Sequence, residues 1–309
     1  MTTEHRISRR GFLAWIAGVT MGWGAHSLAP ELATNFVIQV LETLLRPGVP
    51  APQTGPYLRH LFGDWKSYWL VPGLDHKDYL AKGKIHPDIF NPCIDIVPLW
   101  REAGLKLEST PLDHLPITED SRPLVLIGGP NSNIFSRKWQ GYQQNPQTKR
   151  YEYIPPRVER RWRFEYNFRE PERAGPARYV DGEVHTSWQQ AIKDEETNEL
   201  FSPRTDGTER FLTQDWLMVN YVPNIWNERN ETSILDCSDL HGQGIKAFSQ
   251  LLREAPRLSQ LDDMLKKRGI RPGDHFQALY RVYVDHDHDN KASNVTDFEL
   301  YDVAPVRPR

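Results

Sequence analysis

The chain has 309 residues, a formal net charge of −3 and 26% charged residues. With 10 Trp, 12 Tyr and 12 Phe it has enough large apolar side chains for an ample core, which excludes an intrinsically disordered chain. Two Cys are too few for a disulfide scaffold, a four-thiolate zinc site or a conventional iron–sulfur cluster. The negative net charge gives no general attraction to nucleic acid, so we expect no nucleic-acid partner.

The N-terminal residues carry a targeting pattern. The run Ser8-Arg9-Arg10-Gly11-Phe12-Leu13 resembles the twin-arginine export signal, which has a polar residue, two arginines, any residue and then Phe-Leu. Residues 11–29 follow as an apolar, Gly-rich segment of about the length that spans a bilayer as a helix. The resemblance implies a periplasmic or other extracytoplasmic location, reached after the protein has folded.

The fate of the signal has two alternatives. Ala25-His26-Ser27 is a small-x-small candidate for cleavage, although Pro30 follows closely and no Ala-x-Ala sequence occurs. Without cleavage, residues 11–29 would stay as an inner-membrane anchor with their basic end in the cytoplasm.

Residues 30–120 are predicted to precede the main domain. Residues 30–56 read as a short helix, from Pro30 to Leu45, followed by a Pro-rich linker. Closely spaced prolines predict an irregular, aromatic-rich arm over 57–120. Its Trp-rich part, 57–100, is a candidate docking surface for a protein partner.

The clearest strand is the apolar run 123–127, which is typical of a central strand in a parallel sheet. The turn Gly128-Gly129-Pro130-Asn131-Ser132-Asn133 follows, and one of its last three residues is expected to cap a helix that continues to about residue 142.

Alternating aromatic and charged residues then indicate antiparallel strands. The pattern from Trp162 to Phe168 has a period of two, and Asp181-Gly182 predicts a hairpin. A further strand is expected over 215–222. These elements form a predicted antiparallel insertion at about 150–222.

A second strand–turn–helix unit begins at Ser233. The strand 233–237 leads into a loop that ends in His241-Gly242-Gln243-Gly244, and a helix is expected from about Ile245. A second helix over 257–267 and strands over 276–284 and 295–303 follow. We therefore predict an α/β domain over 121–309, with a Rossmann-like, mostly parallel sheet and the antiparallel insertion.

The two turn motifs, Gly-Gly-Pro-x-x-Asn and His-Gly-x-Gly, resemble those of a loosely defined group of Rossmann-like domains in prokaryotic extracytoplasmic proteins. The resemblance covers about residues 120–135 and 215–285, and Ile245 stands where that group tends to have Thr. It implies a fold but no particular activity.

Glycine-rich turns at the ends of neighbouring strands are places where α/β sheets bind anions. We therefore expect a nucleotide or another small anionic ligand between the two loops, and the alternative is a pair of tight turns without a ligand. The predicted ligand-binding residues are Gly128, Gly129, Asn131, Asn133, Ser238, Gly242 and Gly244. Neither turn is Gly-x-Gly-x-x-Gly, so no cofactor is specified.

Two further functions compete with ligand binding. Asp239 and His241 are candidate acid–base groups of a hydrolase, although no nucleophile can be named. The other alternative is a non-catalytic interaction or scaffold subunit of an envelope complex.

Two charged stretches receive structural interpretations. The run from Asp285 to Asp289 imitates the start of a calcium loop, but Asn290 and Thr296 replace the required Gly and Glu, so a solvated hairpin tip without metal is expected. The Arg-aromatic stretch 157–173 is predicted to be an amphipathic strand whose arginines could contact an anionic ligand or an acidic partner.

Overall fold

The computed structural model describes most of the C-terminal two thirds of the chain and parts of the preceding segment. The described residues are 55–63, 67–72, 92–93, 95–96, 99–100, 106–109, 122–130, 132–147, 151–165, 178–180, 183–185, 191–206, 211–226, 232–287 and 292–308. They belong to one compact unit, formed by Ala51–His76 and His86–Arg309. The predicted export signal, the predicted helix at 30–45 and Asn131 lie outside the described residues. None of the described helices is long and apolar enough to cross a membrane.

The described part contains many strands and few helices. The labelled helices are α1 (Gly55–Phe62), α2 (Ile134–Trp139), α3 (Gln243–Leu251) and α4 (Ala255–Lys267). The strands are β1 (Ser67–Pro72), β2 (Lys106–Ser109), β3 (Leu124–Ile127), β4 (Tyr142–Gln144), β5 (Tyr151–Tyr153), β6 (Val158–Glu159), β7 (Trp162–Glu165), β8 (Arg178–Val180), β9 (Glu183–His185), β10 (Ala191–Asp194), β11 (Leu200–Phe201), β12 (Arg204–Thr205), β13 (Leu212–Pro223), β14 (Ser233–Asp239), β15 (Phe276–Asp287), β16 (Ala292–Pro305) and β17 (Arg307–Pro308).

The main sheet is mixed, with the strand order β2-β1-β3-β14-β13-β15-β16. The pairs β2–β1, β1–β3 and β3–β14 are parallel. The pairs β14–β13, β13–β15 and β15–β16 are antiparallel and much longer, and β12 adds a further antiparallel pair to β13. Antiparallel strands therefore dominate, and the prediction of a Rossmann-like, mostly parallel α/β fold is wrong.

The position of β13 explains the error. This 12-residue strand, predicted as the end of an insertion, lies at the centre of the sheet and pairs with both β14 and β15. Only residues 224–232 connect it to β14, which is shorter than the dozen or more residues that a parallel crossover needs. Neighbouring strands joined by so short a connection run antiparallel.

Two described strands of the segment predicted as an irregular arm, β1 and β2, belong to the main sheet. β1 lies between β2 and β3, and the side chains of Tyr68 and Trp100 are buried with α1 in the main core. The Trp100 ring lies 6.0 Å from Tyr68 and 6.5 Å from Phe62. These aromatic side chains are part of the core, so they are not available to a docking partner.

The two faces of the sheet are covered differently. One face, called here the helical face, packs against α1, α3 and α4, with side chains such as Leu58, Phe248 and Leu261 in its core. The opposite face is covered by α2 in one part and by the small antiparallel sheet β11-β10-β7 in another. Alternation along each strand sends successive side chains to these two cores.

Several local predictions are confirmed. β7 alternates between buried and half-buried residues, and β8 pairs antiparallel with β9, with Val180 opposite Glu183. The side chain of Asn133 caps α2. β15 and β16 pair as a hairpin up to Asp287 and Ala292, so the Asp-His run begins at the end of this hairpin.

Candidate ligand-binding site

The structure places the two glycine-rich loops side by side. β3 and β14 are parallel neighbours, with Ile127 opposite Cys237, and the amide of Gly128 donates to the carbonyl oxygen of Cys237 at 3.0 Å. Loops 128–133 and 240–244 therefore begin at the same edge of the sheet.

Several backbone amides of the first loop and of the start of α2 already donate within the chain. Asn133 Oδ1 accepts the amides of Phe135 and Ser136 at 3.0 and 3.2 Å, and Asn133 Nδ2 donates to the carbonyl of Ile127. The carbonyl of Gly129 accepts two more amides of the turn at 2.9 Å. This arrangement favours the tight, self-capped turn over an anion site at this loop.

Carboxylates occupy the second loop. Asp215 Oδ2 accepts the amide of Gly244 at 3.3 Å, and Asp239 Oδ2 accepts the amide of Ile245 at 3.1 Å. Both groups place negative charge at the positive end of α3. A Cβ on Gly244 would come 2.5 Å from the Cβ of Asp239, so this glycine is required by close packing. These two carboxylates would repel an anionic ligand.

The candidate acid–base residues, Asp239 and His241, are both buried at the same loop, and the carboxylate recorded beside His241 is that of Asp215. His241 Nδ1 lies 3.6 Å from Asp215 Oδ1, and the side chains of both residues are almost completely excluded from solvent. The neighbouring Ser238 hydroxyl donates to Asp236 at 2.8 Å and lies 3.0 Å from the hydroxyl of Ser136. These contacts join buried structural groups, and they assign no nucleophile to a hydrolase.

A buried polar row crosses the opposite face of the sheet. Asp236, Asn220 and Gln277 face one another on β14, β13 and β15 at the same register. Asn220 Nδ2 donates to Asp236 Oδ2 at 3.1 Å, and Gln277 Nε2 donates to Asn220 Oδ1 at 2.8 Å. The sequence signal was a single polar residue in each of three apolar runs.

Burial raises the pKa of Asp236 to about 6, although hydrogen bonds from Ser238, Ser136, Trp139 and Gln140 act in the opposite direction. The side chain has no exposed surface, so loss of water contact outweighs these donors. This row is a structural device that sequence reasoning did not single out.

A basic cavity lies at the β16 edge of the sheet, where the end of α4 meets the residue before β7. It has a volume of about 480 Å³, within the range of small-molecule sites. Its lining residues are Arg161, Met264, Lys267, Arg268, Tyr301 and Asp302. We refer to it as the basic cavity.

Asp302 holds two of the three cations of this cavity in place. Its carboxylate accepts hydrogen bonds from Arg161 Nη1 at 2.8 Å and from Arg268 Nη2 at 2.6 and 2.8 Å. Burial alone would raise the pKa of Asp302, but hydrogen bonds from Arg268, the Val303 amide and Arg161 hold it below its ordinary value. Arg161 also pairs with Asp194 at 2.9 Å and with Glu196 at 3.6 Å, whereas Lys267 has no ion pair among the described residues.

A β-bulge shapes this edge. Leu279 pairs with Asp302 and Tyr280 pairs with Leu300, which leaves Tyr301 as an extra residue in β16. Leu300 and Val303 pack on the helical face, so Tyr301 and Asp302 both lie toward the opposite face. A bulge commonly re-aims side chains in this way. A second bulge occurs in β16 opposite Tyr283 and Val284.

A second, aromatic cavity of about 260 Å³ shares Tyr301 with the basic cavity. Its lining residues are Glu199, Leu200, Phe201, Ser202, Pro203, Arg204, Gln214, Trp216, Arg281 and Tyr301. The rings of Phe201, Trp216 and Tyr301 lie 5.0 to 5.6 Å from one another. The guanidinium group of Arg281 lies 5.3 Å from the Trp216 ring and 5.6 Å from the Tyr301 ring.

The sequence pointed to one part of this region only. Arg161 belongs to the Arg-aromatic stretch, whose arginines were expected to face an anion or an acidic partner. Lys267, Arg268 and Tyr301 lie more than a hundred residues further along the chain, and neither periodicity nor spacing connects them to Arg161. No signal in the sequence could have placed the bulge at Tyr301.

Metal ligation and thiol chemistry find no support in the described residues. No group of three or more His, Cys, Asp or Glu side chains in the described ranges is arranged to hold a metal ion. Cys93 and Cys237 are both buried free thiols.

The chain matches no known protein family, and no curated protein or solved structure is significantly similar to it.

Proposed function

We propose that this protein binds a small organic anion in the basic cavity, as an exported protein that is periplasmic or anchored in the inner membrane. The observation that carries the proposal is the convergence of Arg161, Lys267 and Arg268 on one cavity of about 480 Å³ in a chain of net charge −3. The export signal at residues 8–13 supports the location.

The geometry of the cations suits an anion. The guanidinium group of an arginine presents several N–H donors in one plane, which match the oxygens of a carboxylate or phosphate. Asp302 pairs with Arg161 and Arg268 and holds both guanidinium groups in position. Ligand binding therefore costs less side-chain conformational entropy. Lys267, without an ion pair in the described part of the chain, supplies a charge for the ligand itself.

Isothermal titration calorimetry of the full chain with inorganic phosphate, at low ionic strength, tests the proposal. We expect binding that weakens with added salt, and that weakens about tenfold in Arg268→Gln and in Lys267→Ala, because each loses one charge-assisted contact.

A matched control variant is Arg271→Ala. Arg271 is an exposed arginine close to α4 that pairs with Asp274 and does not line the basic cavity. Its affinity for phosphate should equal that of the wild type. The proposal is refuted if neither phosphate nor a small carboxylate such as acetate binds, or if Arg268→Gln and Lys267→Ala bind phosphate as tightly as Arg271→Ala does.

A further inference from the structure

We propose that the ligand of the basic cavity also carries a planar aromatic ring, which the aromatic cavity binds against Tyr301. This inference rests on the proposed anion site and names its ligand class, an aromatic carboxylate or an aromatic phosphate ester. Tyr301 and its neighbours are then the residues that determine specificity.

The first support is continuity. Tyr301 lines both cavities, so one ligand can place its charged group beside Arg268 and its ring on the other side of this side chain. The bulge in β16 puts Tyr301 and the arginine-binding Asp302 next to each other on the same face. The two parts of the ligand would therefore be recognised by consecutive residues.

The second support is the chemistry of the lining. Five apolar residues form one part of the wall of the aromatic cavity, and the other lining residues are polar or charged; the apolar residues are Leu200, Phe201, Pro203, Trp216 and Tyr301. Leu200 is 55% exposed and Tyr301 is 38% exposed, which is unusual among the large apolar side chains that the structure describes. An apolar cavity of roughly 150 Å³ holds a benzene molecule, so about 260 Å³ admits a substituted ring.

The third support is the stacking geometry. Arg281 already lies over the Trp216 and Tyr301 rings, and its charge is balanced by Glu299 at 2.9 Å. The Trp216 ring is held in position because its indole N–H donates to the carbonyl of Ser202 at 3.0 Å. The cavity therefore offers a pre-positioned aromatic and cationic surface, to which planar rings bind well.

The experiment compares pairs of anions that differ only in the ring. Phenyl phosphate is compared with methyl phosphate, and benzoate with acetate, by calorimetry and by quenching of tryptophan fluorescence in the full chain. We expect at least one aromatic anion to bind about tenfold tighter than its partner, since a ring contact of this kind supplies about that ratio. A larger affinity ratio for phenyl phosphate over methyl phosphate indicates a phosphate ester as the ligand, and a larger ratio for benzoate over acetate indicates a carboxylate.

Variants test whether the aromatic cavity causes the difference in affinity between aromatic and aliphatic anions. Tyr301→Ala should bring the ratio of aromatic to aliphatic affinity close to one. Tyr301→Phe should keep the ratio. Leu200→Ser, which changes only a largely exposed side chain, should lower the ratio even if Tyr301→Ala fails to fold.

The matched control is Tyr153→Ala. Tyr153 is 37% exposed and lines neither cavity, so its loss should leave the ratio as in the wild type. A ratio of one in the wild type with methyl phosphate bound, or a ratio that survives both Tyr301→Ala and Leu200→Ser, overturns this inference and leaves the anion site standing. Absence of binding by all four anions overturns both proposals.

Discussion

Asn220 and Asp236 face each other on neighbouring central strands, and the amide of Asn220 donates to the carboxylate of Asp236 at 3.1 Å with both side chains fully buried. Further donors from Gln140 and Ser238 reach the same oxygen. These three donors are uncharged, so they stabilise the carboxylate by hydrogen bonds and supply no opposite charge. The protonation of Asp236 is therefore linked to the stability of the fold.

The first prediction concerns pH. The pKa of Asp236 rises from 3.8 to about 6 on folding, so the folded state binds the proton more tightly than the unfolded state does. The stabilisation of the folded state by protonated Asp236 is complete below pH 4 and is lost as the pH rises through about 6. The contribution of Asp236 to the free energy of unfolding should fall by up to about 3 kcal/mol over this window.

Urea denaturation of wild type and Asp236→Asn between pH 4 and 7 measures this contribution as a difference, which removes the effect of the other carboxyl groups. The free-energy difference between the two proteins should change with pH in that window. A difference that is constant from pH 4 to 7 would show that Asp236 titrates normally. Asp274→Asn serves as a control, because hydrogen bonds from Arg271 lower the pKa of Asp274, so its stabilising contribution is present above pH 4 and is lost only at lower pH.

The second prediction separates the first glycine-rich loop from the ligand site. Asn133→Ala removes the side chain that caps α2, so we expect a loss of about 1 kcal/mol in the free energy of unfolding. The affinity for inorganic phosphate should stay unchanged, because the proposed anion site lies at β16 and not at this loop. If Asn133→Ala weakens phosphate binding as Arg268→Gln does, the ligand lies at the loop.

The third prediction concerns the two thiols. Burial raises the pKa of Cys93 to about 12, and burial together with nearby Asp236 raises the pKa of Cys237 well above its ordinary value. Neither thiol should form a thiolate or meet a reagent in the folded protein at pH 8. Mass spectrometry after iodoacetamide treatment should find no modification in buffer and two modifications in denaturant. Modification of either residue in buffer would show that the core opens locally there.

Local structure could largely be predicted from the sequence. Apolar runs and period-two patterns indicated β3, β7, β13 and the β15–β16 hairpin. The order of apolar and polar residues along a strand reflects which of its faces are buried. The cap at Asn133 was among three predicted positions for the same reason, since capping depends on the side chain of one residue.

The order of the strands could not be predicted in the same way. A strand that is buried on both faces fits a parallel and an antiparallel neighbour equally well, and the Gly-Gly-Pro turn after β3 favoured the wrong choice. The length of the 224–232 connection was the available clue, because it is too short for a parallel crossover. Within the candidate site, Arg161 lay in a stretch with a recognisable pattern, whereas Tyr301 depends on a one-residue change of register.

The two bulges in β16 have a consequence for the protein in solution. Among the described strands, β16 has a neighbour on one side only, so its outer row of N–H and C=O groups borders no other described strand. A long regular edge of this kind would be a template for pairing with another molecule, and interruptions in its spacing work against such pairing. The irregularity that aims Tyr301 and Asp302 at the cavities thus also protects the protein against sheet-to-sheet aggregation.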